Sequence, residues 1–170
     1  YTRVPITHNT NKAFTLDQET IFEPLDFVSF DDYVNQDKYV ELCFDTEMNR
    51  CLKPGIPFYE METSTITSAH LMGGWPCHKP GFVNAEAVNT FFAGGQGFSY
   101  WLFRQHRTGT EMPHGHLVNS FGTLSSTCSN VLEVTDTIKK LTPFITSTKV
   151  KQAEVALLYS DKGREIDVQI

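Results

Sequence analysis

The sequence predicts an α/β fold with parallel strands: half of a (β/α)8 barrel, built of four strand and helix units, followed by the start of a second domain. Three observations point there. Short runs rich in β-branched and aromatic residues alternate with helix-spaced apolar stripes along the chain, and parallel neighbours need a crossover that a helix supplies. A doubly wound nucleotide-binding sheet would carry a Gly-rich phosphate loop after a strand, and neither GxGxxG nor GxxxxGK followed by Ser or Thr occurs. The 170 residues fall short of the roughly 250 of a complete barrel.

The elements follow in order. Val4 to Thr7 is the first strand. Thr15-Leu-Asp-Gln18 has the form of a capping box, in which the Thr hydroxyl and the Gln side chain each satisfy an orphan amide, and opens a short helix. Leu25 to Phe30 is the second strand. Tyr39, Leu42 and Cys43 begin a helical stripe that stops at Lys53-Pro-Gly, where Pro forbids continuation. Ile56 to Met61 is the third strand, and Ala85, Val88 and Phe92 mark a helix closed by Gly94-Gly95. Gly97 to Phe103 is the fourth strand. Leu124, Cys128, Val131, Thr135 and Ile138 fall on one helical face, and Pro143 is expected to end that helix. The polar run at 146–151 marks a boundary, after which Glu154 to Tyr159 reads as the strand that opens a second domain, giving units 1–148 and 149–170.

A composition of 40% hydrophobic and 20% charged residues fits a globular domain with a substantial core. The net charge of −6 argues against a nucleic-acid partner, which calls for a basic patch. No apolar run is long enough to span a bilayer, and no charged-then-apolar leader is present, so no membrane association is expected. Cys43, Cys51, Cys77 and Cys128 are irregularly spaced with no CxxC pair. They read as free thiols rather than zinc ligands or a disulfide scaffold, which favours a cytoplasmic setting.

In a barrel the site forms where the strands end and their loops converge. The residues there are Asn9, then Asp31-Asp32-Tyr33, then Glu62-Thr-Ser, then Arg104-Gln105-His106. Glu62 follows directly on an apolar run. Burying a carboxylate there is costly, so it is either paired or solvated for structural reasons, or held for chemistry. His106, His114 and His116 with Glu111 raise the question of a metal, but their spacing does not put two imidazoles on one helical face, and no metal or other cofactor is expected. Arg104 and Arg107 read as pairing partners at the barrel rim before substrate ligands.

Four segments, Leu25-Asp-Phe-Val-Ser-Phe-Asp-Asp-Tyr33, Pro57-Phe-Tyr-Glu-Met-Glu-Thr-Ser64, Ser99-Tyr-Trp-Leu-Phe-Arg-Gln105 and Arg107-Thr-Gly-Thr-Glu-Met-Pro-His-Gly115, together resemble the glycoside hydrolase family 42 β-galactosidases. The resemblance implies that they are barrel strands six, seven and eight and the loop that follows, with Val4 to Thr7 as strand five and Glu154 onward as the first strand of a trimerisation domain. It implies that Glu62 is the nucleophile of a retaining hydrolysis of terminal β-D-galactosides. Tyr33 would lie against that carboxylate or the sugar, and Glu111 with His114 would hydrogen-bond sugar hydroxyls. Trp101, in place of the usual strand-eight aromatic, would either pack on the apolar face of galactose or belong to the barrel core.

The pattern departs from the family in two places. The Asn-Trp that shapes the sugar pocket after the nucleophile is replaced by Ala69-His70, with Trp75 further along, so either His70 or Trp75 takes that role. The Asn-Glu dipeptide that would carry the acid/base is absent from the chain. The implied partners are therefore a galactoside substrate, the amino-terminal half of the barrel, and other copies in a trimer, and the chain alone should be inactive. Two rival readings follow from the same features: a non-catalytic half-barrel that assembles or binds carbohydrate through its open edges, and a neighbouring retaining glycosidase of different sugar specificity.

Overall fold

A computed structural model describes residues 3–11, 16–74 and 76–160. Four strands, β1 (Asn9–Thr10), β2 (Val28–Asp31), β3 (Phe58–Glu62) and β6 (Gly97–Phe98), form one sheet in that order, every pair parallel. The crossovers carry α1 (Gln18–Phe22), α2 (Tyr39–Leu52) and α3 (Phe82–Phe92), and α4 (Cys128–Ser147) packs against α3. The α/β class and parallel pairing read from the sequence hold. An antiparallel ribbon of β4 (Ala69–His70) and β5 (Gly73–Gly74), absent from the sequence-based expectation, folds the loop after β3.

The helix-facing side of the sheet carries the core. Phe22 of α1, Val28 and Phe30 of β2 and Phe58 of β3 are each at most 2% exposed and pack with Leu25, Leu52 and Ala93. A second cluster joins Val83 and Ala87 of α3 to Val134 of α4, with Phe98, Tyr100 and Ile138 around it. Burying one such side chain contributes about 1.5–3 kcal/mol. α2 and α3 also meet through polar contacts, Asn89 donating to Thr46 Oγ1 (2.9 Å).

Several element boundaries differ from the expectation, each for a physical reason. Val4 to Thr7 forms no strand. Pro5 lacks the N–H a ladder needs, and the segment runs beside 26–29 through single bonds, Asp26 N–H donating to Ile6 O and Thr7 Oγ1 to Phe27 O. Pairing begins only at Asn9. Thr15 lies outside the described residues. The capping box expected there therefore falls outside them too; among the described residues the cap of α1 is Asp17, whose carboxylate accepts from Thr20 N–H (3.1 Å), while Gln18 is already helical and its Oε1 accepts from Thr10 Oγ1 (3.0 Å). α3 starts at Phe82, behind Gly81 in the left-handed region (φ 84°), earlier than its apolar stripe suggests, and ends as expected at Gly94 (φ 100°).

α4 is the largest revision. Leu124 precedes it and is exposed, the inward stripe is Val131, Val134, Ile138, Leu141 and Ile145, and Thr135 faces solvent. Pro143 sits inside the helix rather than ending it. The carbonyl it orphans belongs to Lys139, on the exposed side where water can serve it. Thr146, Ser147 and Thr148 then bond back to the carbonyls of Thr142 and Phe144 and close the last turn. The expected strand at Glu154 to Tyr159 is also not formed. Residues 149–160 lack regular structure and are exposed, though Tyr159 sets its ring edge against Phe44 (5.5 Å between centroids). Such a strand needs a ladder to join, and among the described residues no strand pairing includes 154–159.

Candidate active site

The carboxyl ends of the parallel strands meet the two loops that follow β3 and β6. Backbone bonds tie those loops together: Leu71 N–H to Thr110 O (2.7 Å), Gly115 N–H to Thr67 O (3.0 Å) and Leu102 N–H to Gly115 O (3.1 Å). Gly115 is required at this junction, because a Cβ there would stand 2.8 Å from Thr65 Oγ1 and 3.0 Å from Thr67 O. Asn130 at the start of α4 donates to Thr65 O (2.9 Å) and anchors the same loop from below. Between the loops opens a cleft of about 330 Å³ lined by Tyr33, Glu62, Ser68, Trp101, Glu111 and His114.

Glu62 reaches this cleft because β3 carries a bulge. Phe30 pairs with Glu60, but the next residue of β2, Asp31, pairs with Glu62, so Met61 is the extra residue. Without it, strand alternation would turn Glu62 to the side of Phe58 and Glu60, toward the helices. With it, Glu62 shares a face with Asp31. Its Oε2 accepts from Tyr33 Oη at 2.8 Å and its Oε1 from Asn9 Nδ2 at 3.3 Å. The same Asn9 amide donates to both oxygens of Asp31, at 3.0 and 2.9 Å.

These contacts set the local electrostatics. Burial raises the Tyr33 hydroxyl far above its ordinary value, and the bond to Glu62 adds to this, so Tyr33 is a donor at any working pH. Asp31 is pushed up to about 6, mainly by burial and further by the Glu62 charge, with the Asn9 bond opposing. His114 is 2% exposed and meets the Tyr33 ring edge-on, centroids 5.6 Å apart. On the far wall, Trp101 lies 5.8 Å from the His106 ring, and His106 Nε2 is 4.0 Å from Glu111. The indole N–H of Trp101 is buried and has no acceptor among the described residues.

Of the residues singled out in the sequence, Tyr33, Glu62, Trp101, Glu111 and His114 line the one cleft. Trp75 and the side chain of His70 lie outside the described residues, and only the backbone of His70 is placed, in β4. His116 turns both ring nitrogens to acceptors, His114 O and Asn119 Oδ1, and Arg104 donates to Ser120 O, which fits a rim role. Ser68 was not anticipated, since nothing in its spacing marks it. Nor was a buried carboxyl pair on the helix side of β3, Glu60 and Glu86, although a Glu inside the run Ile56 to Met61 was a signal for the first. A larger cavity, about 870 Å³ between α3 and α4, is lined by Phe91, Phe92, Ile138 and Phe144 and lies apart from the strand ends.

The family model for glycoside hydrolase family 42, described as beta-galactosidase, matches residues 1–141. The chain belongs to this family. Two curated relatives, both named beta-galactosidase YesZ, are 40% identical (Bacillus subtilis) and 39% identical (Bacillus licheniformis) over 164 residues, 96% of this chain. The chain spans a quarter of their length, 25% in each case. Among solved structures, Gan42B, a family 42 β-galactosidase from G. stearothermophilus, superposes in a catalytic mutant form with a TM-score of 0.81 at 24% identity, over 95% of this chain and 25% of that one. A β-galactosidase from Rahnella sp. R3 gives 0.78 at 24% identity with the same coverage. The parallel α/β arrangement is thus shared with family 42 barrels.

Proposed function

We propose that this chain is the nucleophile-bearing part of a retaining β-galactosidase, with residues 1–148 forming strands five to eight of a (β/α)8 barrel and 149–170 leading into a following domain that assembles trimers. The observation that carries the proposal is the convergence of Tyr33, Glu62, Trp101, Glu111 and His114 on one cleft at the strand ends, with Glu62 held by the Tyr33 hydroxyl. Glu62 attacks the anomeric carbon, and the glycosidic bond breaks as the aglycone leaves with a proton from an acid outside this chain. Water, deprotonated by that same group, then releases the sugar with retention. Glu111 and His114 hold sugar hydroxyls, and Trp101 covers the apolar sugar face. Ser68 adds one more hydroxyl to the wall.

A second carboxyl about 5 to 5.5 Å from the nucleophile is required, and no Asn-Glu dipeptide of the family pattern occurs here. The strand edges of β1 and β6 left unpaired among the described residues are where the remaining strands would join. Mixing this chain with the amino-terminal half of a family 42 barrel is expected to yield hydrolysis of a chromogenic β-galactoside that neither part shows alone, and Glu62→Gln is expected to abolish it. Undiminished hydrolysis by the Glu62→Gln pair would refute the nucleophile assignment. Preference for glucosides or mannosides would refute the substrate.

A further inference from the structure

Glu62 touches one group that the reaction scheme above does not use. Asn9 opens β1, on the opposite side of β2 from Glu62, and its amide nitrogen has two hydrogens and three carboxylate oxygens around it. One hydrogen serves Asp31, at 3.0 and 2.9 Å, and the other reaches Glu62 Oε1 at 3.3 Å. The orientation of that amide is not arbitrary. An ionised carboxylate can only accept, so Asp31 forces the NH2 end, and not the carbonyl end, of Asn9 toward the nucleophile. Glu62 Oε2 is taken by Tyr33, so one oxygen of Glu62 receives a donor from β1 and the other a donor from the segment after β2, and its side chain is held from two directions.

We propose that Asn9, locked in register by Asp31, is a positioning residue for the Glu62 nucleophile, which it aligns for attack without touching the sugar. The proposal rests on the nucleophile reading of Glu62. Its logic makes two distinct demands. Asn9→Ala removes the donor outright. Asp31→Asn leaves Asn9 in place but introduces an amide donor, so the Asn9 amide can turn over and present its carbonyl oxygen to Glu62, acceptor against acceptor. Both changes therefore damage the same contact by different routes. Asn9 lies outside both apolar core clusters, so its removal should leave the fold intact, which the thermal midpoint checks.

The experiment uses the full-length enzyme containing this segment, or the reconstituted pair, with a dinitrophenyl β-galactoside whose leaving group needs no acid. Asn9→Ala and Asp31→Asn are each made in the parent and in Glu62→Ala, where added azide replaces the carboxylate as nucleophile: the C–N bond forms as the C–O bond to the aglycone breaks, and galactosyl azide is the product. A hydrogen bond to a charged group, once lost, corresponds to about tenfold to a hundredfold in rate. The expected result is a fall of that size in kcat with KM little changed in the parent, and no further fall in the azide-driven reaction of Glu62→Ala, because a residue acting through Glu62 has nothing to align once Glu62 is gone. The inference is overturned if Asn9→Ala retains kcat within about twofold, or if it costs the azide reaction as much as it costs the parent, since Asn9 would then act on the sugar or the fold. If Glu62→Ala hydrolyses at the parent rate, or is inactive and azide does not restore turnover, the nucleophile reading fails and takes this inference with it. Loss in Asn9→Ala alongside azide rescue of Glu62→Ala separates the two.

Discussion

Glu60→Gln probes the carboxyl pair buried behind the cleft. Glu60 on β3 and Glu86 on α3 are both 0% exposed. Thr90 donates to Glu60 Oε2 and Thr63 to Glu86 Oε1 (2.9 Å), while Glu60 Oε1 and Glu86 Oε2 are buried with no partner among the described residues. Burial raises both groups well above the usual carboxylate range. The Glu86 and Asp32 charges add to the rise at Glu60, and the Asp32 charge adds to that at Glu86. The native protein therefore binds more protons here than the unfolded chain does. The stability they contribute is fully present below the unfolded value near 4.5 and is lost as pH rises through the folded values. Gln at position 60 keeps an acceptor for Thr90 and replaces the orphan oxygen with a donor beside carboxylates that can use one.

Relieving one unsatisfied buried polar atom is worth about 1–3 kcal/mol, and a chain of this size gains about 2–4 °C per kcal/mol. Glu60→Gln is thus expected to raise the thermal midpoint by about 2 to 12 °C at alkaline pH and to flatten its decline with pH. Scanning calorimetry should stay above pH 6.5, because His78, which burial lowers from 6.5 to about 4, destabilises the fold in the opposite direction as pH falls through that window. A lower midpoint for Glu60→Gln, with the pH slope of the parent unchanged, would show that Glu60 is ionised and well paired, and the reasoning would be wrong.

Other expectations follow from single contacts. Tyr33→Phe keeps the ring on His114 but removes the 2.8 Å bond to Glu62, so kcat/KM of the complete enzyme should fall about tenfold to a hundredfold, measured by steady-state kinetics. Phe58→Ala empties a site at 1% exposure in the main core and should cost about 3–5 kcal/mol in denaturant unfolding. Gly97 faces Tyr59 across the β3–β6 pair, and a Cβ there would lie 2.1 Å from Tyr59 Cδ1. Gly97→Ala should therefore destabilise by about 1–3 kcal/mol, and Tyr59→Ala in the same chain should recover part of that loss.

Local signals were most reliable where chemistry acts on near neighbours. Pro54 and Gly94 stop α2 and α3 where the sequence placed them, because a missing N–H and a left-handed φ are properties of one residue. They failed where a neighbour in space outweighs the local rule. Pro143 inside α4 is tolerated because the carbonyl it strands belongs to Lys139 on the exposed side of the helix, which the sequence alone does not reveal. The α4 stripe was misplaced because Leu124, apolar and at helical spacing, belongs to a turn bridged to Val118. Val4 to Thr7 looked like a strand by composition, yet pairing is decided by which residues can donate to β2.

The sequence by itself determined the class of the molecule: alternating elements, parallel pairing, and polar residues waiting at each strand end. It also singled out Glu62 as a carboxylate placed after an apolar run. Which way Glu62 points was decided only in three dimensions. Counted by twos from Phe58, it belongs with Glu60 on the helix side, where the carboxylates have Thr90 and Thr63 as donors and one another's charge beside them. The bulge at Met61 moves it to the face of Asp31 and Asn9, within reach of Tyr33. A bulge is a mismatch between two strands, so neither strand's own sequence records it.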